Sequence, residues 1–433
     1  MGFRFPDGFR WGTATSAYQV EGNNIASDWW LWERQPGTIL DGSRSGLACD
    51  WWRSAERDFD RMVGLHQNAA RLSIEWSRLE PREGQWDQAA EARYLEMLRG
   101  LRERGMEPLV TLNHFTLPQW VADRGGWLWD GIVPAFARYA AQMVRAASTS
   151  VDLWTTLNEP VGHLFAAYVL GRFAPGRTSP LGFLRALLHS VRAHEAAYHA
   201  IHDVQPTARV SIAAYLRPFQ PANPDSWLDR LLALRLDHLV NWMYLDALVT
   251  GRLAGPFGLR AHVRTAVPTL DFLGVNYYTR SRVAFDIRRP RYLFTRPELA
   301  PGAAVSDATD SEIFPDGMLA VLRRARRYGL PIYITENGLP DADDDLRPGF
   351  IVEHLRRVAQ AIDEGCPVRG YYHWSIVDNF EWADGWTLRF GLHALDPSTQ
   401  IRVARSSAAL YGEICRDNAL PEGTVPSGLP EVS

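Results

Sequence analysis

Short apolar runs alternate with longer amphipathic stretches about eight times along this chain. The runs fall at residues 9–15, 69–74, 109–113, 153–158, 210–214, 272–276, 332–336 and 370–374. Helix-like segments sit between them, as at 91–104, 132–147, 185–202, 317–328 and 351–364. A continuous apolar strand has both faces buried, the condition of a parallel sheet flanked by helices. Eight such units in series predict the α/β class and a single (β/α)8 TIM barrel over residues 1–433. The 433 residues exceed the usual single-core size, but barrels of this kind reach that length as one domain. No composition shift or long linker divides the chain, and the Pro/Gly-rich stretch after about residue 416 is expected to be a loose tail.

Nearly every run ends in a polar or aromatic cluster: Arg71, Asn113-His114, Asn158-Glu159, Asn276 to Tyr278, Glu336 and Trp374. In such a barrel the strand C-termini form the catalytic face, so these clusters converge on one mouth. Two of them carry a glutamate beside an asparagine, in Thr156-Leu157-Asn158-Glu159-Pro160 and in Ile334-Thr335-Glu336-Asn337-Gly338. Only a closed fold brings positions so far apart together. Two carboxyl groups facing each other across a cleft suit the cleavage of a glycosidic bond. One is protonated to help the leaving oxygen depart, and the other is ionised to attack the anomeric carbon.

Composition removes several alternatives. The net charge of −4 argues against a polyanionic partner such as nucleic acid. All 46 basic residues are arginine, and no lysine occurs anywhere in the sequence. That excludes a Walker-type P-loop, a lysine Schiff base and a pyridoxal phosphate anchor, each of which needs an amine. Cys49, Cys366 and Cys415 are odd in number and show no CxxC spacing, so disulfides are not expected to organise the fold and a reducing cytoplasm fits. The N-terminus lacks a signal-peptide apolar core and no run long enough to span a membrane appears, so a cytoplasmic protein with no membrane partner is expected.

Three other signals have plainer readings. His189, His194, His199 and His202 crowd one helix-like segment, but no HExxH pattern accompanies them and a packed or solvated helix is favoured over a metal site. The basic run from Arg323 to Arg327 ends an amphipathic segment, where cations suit the helix dipole. The acidic run from Asp341 to Asp345 reads as a loop.

From Phe5 to about Tyr411 the chain resembles glycoside hydrolase family 1, the β-glucosidase and β-galactosidase family. The resemblance is carried by Phe9-Arg10-Trp11-Gly12-Thr13 through Gln19-Val20-Glu21-Gly22, Arg71-Leu72-Ser73-Ile74-Glu75-Trp76-Ser77-Arg78, Asn113-His114-Phe115, both glutamate motifs and Asn276-Tyr277-Tyr278. It closes with Trp374-Ser375-Ile376-Val377-Asp378-Asn379-Phe380-Glu381-Trp382, the motifs standing in the family's order. By that resemblance Glu159 would be the general acid/base and Glu336 the nucleophile of a retaining enzyme. Arg71 and Tyr278 would keep Glu336 ionised, with Asn276 belonging to the same catalytic set. Asn158 would hold the sugar 2-hydroxyl, while Gln19, His114 and Glu381 would hold the remaining hydroxyls. Trp374 and Trp382 would stack on the sugar, and Phe390 would line the same pocket. No cofactor or metal is implied.

The activity this implies is removal of terminal β-D-glucosyl residues, with β-D-galactosyl and β-D-fucosyl residues also expected, from β-glucosides and short β-linked oligosaccharides. A homo-oligomer is compatible with the sequence. The chain departs from commoner relatives at Val161, at Phe115-Thr116, and at Leu72 to Trp76, which is closer to the archaeal branch. These changes fall beyond the pocket expected for the glycone, and leaving-group preference would depend on them. A 6-phospho-β-glycosidase is disfavoured, since Glu381 would repel a phosphate and no lysine is present to bind one. Glu159 argues against a myrosinase-like enzyme, whose acid/base is glutamine. A transglycosylating β-glycosidase and a non-catalytic carbohydrate-binding relative remain as alternatives.

Overall fold

The computed structural model describes residues 2–254, 260–262 and 268–421. Eight parallel strands close into a barrel: β1 (Arg10–Ala14), β2 (Ala69–Ser73), β3 (Glu107–Asn113), β4 (Leu153–Asn158), β5 (Arg209–Tyr215), β6 (Leu273–Asn276), β7 (Ile332–Asn337) and β8 (Val368–Trp374). They pair in sequence order, and β8 returns to β1. The TIM barrel is therefore the fold, and each strand lies on the run expected from the sequence to within a residue or two. Every residue of β2, β3, β4, β6 and β7 is buried, as both-sided coverage requires.

The lumen is filled by side chains rather than open. Ala69, Leu109, Leu153, Phe272, Tyr333 and Tyr372 form one interior cluster reaching up to Trp374 and Phe390. A second, larger core lies between the strands and the outer helices, where Trp11, Phe59, Leu98, Phe136 and Trp154 are each 1% exposed or less. Truncating one such aromatic to alanine costs about 3–5 kcal/mol, through lost transfer energy and the hole left behind. This rigid base carries the site above it.

The helices follow the same periodic pattern. Ile132–Ala147 and Arg347–Asp363 turn their apolar faces to the barrel, and Pro180–Val204 runs the length of one side. Within that last helix three of the four histidines engage other parts of the fold. His194 is held by Thr156 Oγ1 at 2.6 Å and by the Thr269 carbonyl at 2.7 Å, His189 meets the Trp127 carbonyl, and His202 meets Asp271. The arginine run is likewise engaged, with Arg323 on Glu364, Arg324 on Asp237 and Arg327 on Asp246. Asp341 accepts from the Leu346 and Arg347 amides at the start of a helix, so part of the acidic run serves as a helix-opening loop.

Excursions above the barrel were not evident from periodicity. Phe219–Pro221, Ser281–Phe285 and Thr295–Glu298 build a three-stranded sheet. The C-terminal helix Ser406–Asp417 packs outside the barrel, its Tyr411 hydroxyl donating to the Gly12 carbonyl at 2.7 Å, and Asn418 ties the chain back to its start by bonding the Trp11 indole and the Phe5 backbone. The remainder of the expected loose tail, from residue 422, lies outside the described residues.

Candidate active site

Register slips at the ends of the two strands that carry the glutamates. Against β5, β4 shifts between Thr155 and Asn158; against β6 and β8, β7 shifts after Ile334. Such an irregularity re-aims the side chains beyond it, here toward the barrel axis. Glu159 then adopts φ +44°, a left-handed conformation uncommon for a non-glycine residue, before Pro160 opens the helix Pro160–Phe165. After β7, Gly338 passes so close to β8 that an added Cβ would lie 1.9 Å from the Trp374 carbonyl oxygen. The glycine of the second motif is thus required by close backbone approach.

All twelve site residues expected from the sequence fall into one contiguous network. Glu336 is 3% exposed and paired on one oxygen with Arg71, itself 1% exposed. Its other oxygen accepts from the Tyr278 hydroxyl at 2.6 Å. A guanidinium and a phenol therefore each hold one oxygen of this carboxyl group. Arg71 also donates to Asn158 Oδ1 at 2.8 Å, and Asn276 donates to the same oxygen at 3.0 Å and to Glu159 Oε1 at 2.8 Å. Glu159 has the opposite electrostatics. Removal of its carboxyl from water, and then the charge of Glu336, push its pKa up to about 8, against the weaker opposing pull of Asn276, Arg71 and Arg217.

The residues expected to hold the sugar extend this network. Because two donors already occupy Asn158 Oδ1, its amide nitrogen must donate to His114 Nε2, at 3.0 Å. The proton of the neutral imidazole then sits on Nδ1, which is buried without a partner among the described residues and can donate to a ligand hydroxyl. Burial, followed by the Arg71 charge, holds His114 well below the usual histidine range, consistent with that neutral form. Its ring lies parallel to Trp374 and to Trp382, at 6.0 Å from each. Glu381 accepts from the Trp374 indole and the Gln19 amide, each at 3.3 Å, and burial drives its pKa well up. Phe390 completes the wall, edge-on to Tyr278 at 6.1 Å.

Some supporting residues escaped the sequence reading. Thr335 Oγ1 donates to Asn276 Oδ1 at 2.6 Å, which turns the asparagine nitrogen toward Glu159. Ser16 donates to Gln19 Oε1 and Asn379 accepts from Gln19 Nε2, fixing that amide in the same way. Tyr215 packs edge-on against Tyr278 at 6.0 Å. A threonine, a serine or a tyrosine at a strand end is too common for its type alone to reveal it. Two of the noted departures prove to be in contact, since the Thr116 hydroxyl donates to Glu75 at 2.9 Å beneath the left-handed Phe115. Val161 lies next to Glu159 in a recess shared with Tyr215 and Leu245.

Comparison with known proteins agrees with this geometry. The family model "Glycosyl hydrolase family 1" matches residues 1–420. Beta-glucosidase A of Thermotoga maritima is 31% identical, over 97% of this chain and 99% of its own. A beta-galactosidase of Pyrococcus woesei is 30% identical, over 96% and 98%. Among solved structures, a beta-glycosidase from Pyrococcus horikoshii superposes with a TM-score of 0.91 at 37% identity, covering 100% of this chain and 99% of its own. The Thermotoga maritima beta-glucosidase in complex with glucoimidazole gives 0.89 at 29% identity, covering 96% and 100%. The chain belongs to glycosyl hydrolase family 1.

Proposed function

We propose that this β-glycosidase is a retaining exo-enzyme that releases terminal β-D-glucosyl residues, and also β-D-galactosyl and β-D-fucosyl residues, by double displacement. The observation that carries the reading is the asymmetry of one carboxyl pair. Glu336 is flanked by Arg71 and Tyr278, while Glu159 is pushed up to about 8 and holds its proton at neutral pH. Names of relatives support the glycone range, since they include both beta-glucosidases and beta-galactosidases.

In the first step Glu336 attacks the anomeric carbon while Glu159 gives its proton to the departing oxygen. The product is an aglycone alcohol and an α-linked glycosyl ester on Glu336. Esterification removes the negative charge that raised the pKa of Glu159, which is now ionised. Glu159 then takes a proton from water as that water attacks the ester, and β-sugar leaves. Asn158 is placed to bond the 2-hydroxyl, and His114 Nδ1 is a free donor to a neighbouring hydroxyl. A cytoplasmic location belongs to the same proposal, supported by three buried cysteines, none in a disulfide. No helix among the described residues is long and apolar enough to cross a membrane.

Initial rates on the 4-nitrophenyl β-glucoside, β-galactoside, β-fucoside, β-mannoside and 6-phospho-β-glucoside test this. Turnover of the unphosphorylated glucoside is expected, with the 6-phospho substrate poor. Folded protein silent across the panel, or fastest on the phosphorylated substrate, would overturn the reading.

A further inference from the structure

The segment leaving β5 carries a cation that the mechanism above does not use. Arg217 is half-buried, and among the described residues no carboxylate forms an ion pair with it within 4.0 Å. Other arginines around the mouth are paired: Arg71 with Glu336, Arg280 with Glu312, and Arg172 with Asp384. The backbone of Arg217 is fixed by Asn241, whose side chain accepts from the Arg217 amide at 3.1 Å and donates to its carbonyl at 2.7 Å. The guanidinium carbon lies 5.4 Å from the ring centre of Tyr215 and 5.3 Å from that of Phe219. Its Nε is buried and has no hydrogen-bond partner among the described residues.

This cation belongs to the leaving-group side. Tyr215 packs on Tyr278, which holds Glu336, and Tyr215 shares one recess with Glu159, Val161 and Asn241. The charge of Arg217 reaches Glu159 itself. Asp310 acts on Tyr215 from the facing loop, yet forms no ion pair with Arg217 among the described residues. A guanidinium partly out of water between two aromatic rings, with a donor unused, is poised for an anion. Its planar fork suits a carboxylate in particular.

We propose that Arg217 is a specificity-determining residue that selects leaving groups bearing an anionic substituent, in the first instance a carboxylate on an aromatic ring. The proposal rests on the glycosidase reading above. The aromatic part of the aglycone would lie along Tyr215 and Phe219, with its carboxylate on the guanidinium. An anion there also offsets part of the pull that Arg217 exerts on Glu159, helping it keep its proton until transfer.

The test compares 4-carboxyphenyl and 4-carbamoylphenyl β-glucosides, matched in shape and different in charge. The ratio of their kcat/KM values is measured for the wild type, Arg217→Gln and Arg217→Lys. Glutamine is expected to lower the carboxylate-to-carboxamide ratio by about fivefold or more, chiefly through KM, and lysine to restore much of it. A ratio that is the same in the wild type and Arg217→Gln would overturn the proposal. A second arm needs no variant. Raising salt from about 20 mM to about 500 mM should slow the wild type on the carboxylate and leave the carboxamide nearly unchanged, and a parallel response would also overturn it. If the wild type turns over neither substrate, the glycosidase reading falls and this proposal with it; turnover of both without charge discrimination sinks this proposal alone.

Discussion

Asn276 donates to Glu159 Oε1 at 2.8 Å, and Thr335 holds it in the orientation that makes the donation possible. The hydrogen bond favours ionised Glu159 and so opposes burial and the charge of Glu336, the two influences that raise its pKa. Replacing Asn276 by alanine should therefore move the alkaline limb of the kcat/KM profile to higher pH, and lower kcat by about tenfold or more as the Glu159 carboxyl loses its anchor. An unmoved limb would show that Asn276 does not act on the titrating group.

In the wild type, the limb itself follows from the value near 8. Glu159 must be protonated to act as an acid, so kcat/KM should fall as pH rises through about 8. Stability has the same sign. An unfolded glutamate titrates near 4.3, so between there and about 8 the folded state holds this proton more tightly. Stability from this group is fully present below about 4.3 and is lost as pH rises to about 8. Glu159→Gln cannot ionise and escapes that loss. Its melting temperature should exceed that of the wild type by at least about 1 °C at pH 9, and the gap should close near pH 4. Calorimetry at both pH values checks it; a gap independent of pH would contradict the assigned pKa.

Tyr278→Phe removes the 2.6 Å donor from Glu336 Oε2 and leaves Arg71 as the sole charged support. A charge-assisted hydrogen bond contributes roughly 1.5–3 kcal/mol, so kcat/KM should fall about 10- to 100-fold on an activated glucoside. Wild-type rates from the variant would mean that Arg71 alone is enough to hold Glu336 for attack.

Val161 is half-buried beside Glu159, where a larger side chain would protrude into the recess. Val161→Trp should reorder rates across glucosides that differ in aglycone, while glucose and galactose keep their ranking for a fixed aglycone. An unchanged order of aglycones would remove Val161 from the leaving-group subsite.

The barrel was legible because each of its strands is buried on both faces, which leaves a continuous apolar run where a one-sided strand would leave alternation. Helix Ile132–Ala147 was legible to the residue from its apolar period. The small sheet built from Phe219–Pro221, Ser281–Phe285 and Thr295–Glu298 was not, since three short strands with mixed burial leave no clear periodic trace. At the site, the motifs named groups that touch one another: Glu336, Arg71, Asn158, Asn276 and Glu159 form an unbroken chain of polar contacts. Thr335, Ser16 and Asn379 were missed because their contribution is a direction imposed on another side chain, and direction depends on three-dimensional register. Arg217 was missed for a related reason. In a chain whose 46 basic residues are all arginine, one more is unremarkable until its lack of a carboxylate partner among the described residues is seen.

The central claim is that Glu336 forms the covalent bond to the sugar. The most direct test is Glu336→Ala with an activated aryl β-glucoside, azide being added and the product's anomeric configuration read by NMR. The account predicts negligible turnover without azide and formation of α-glucosyl azide with it, since the small anion enters from the face the carboxylate vacated. Ordinary hydrolysis by the variant, or a β-linked azide, would contradict it.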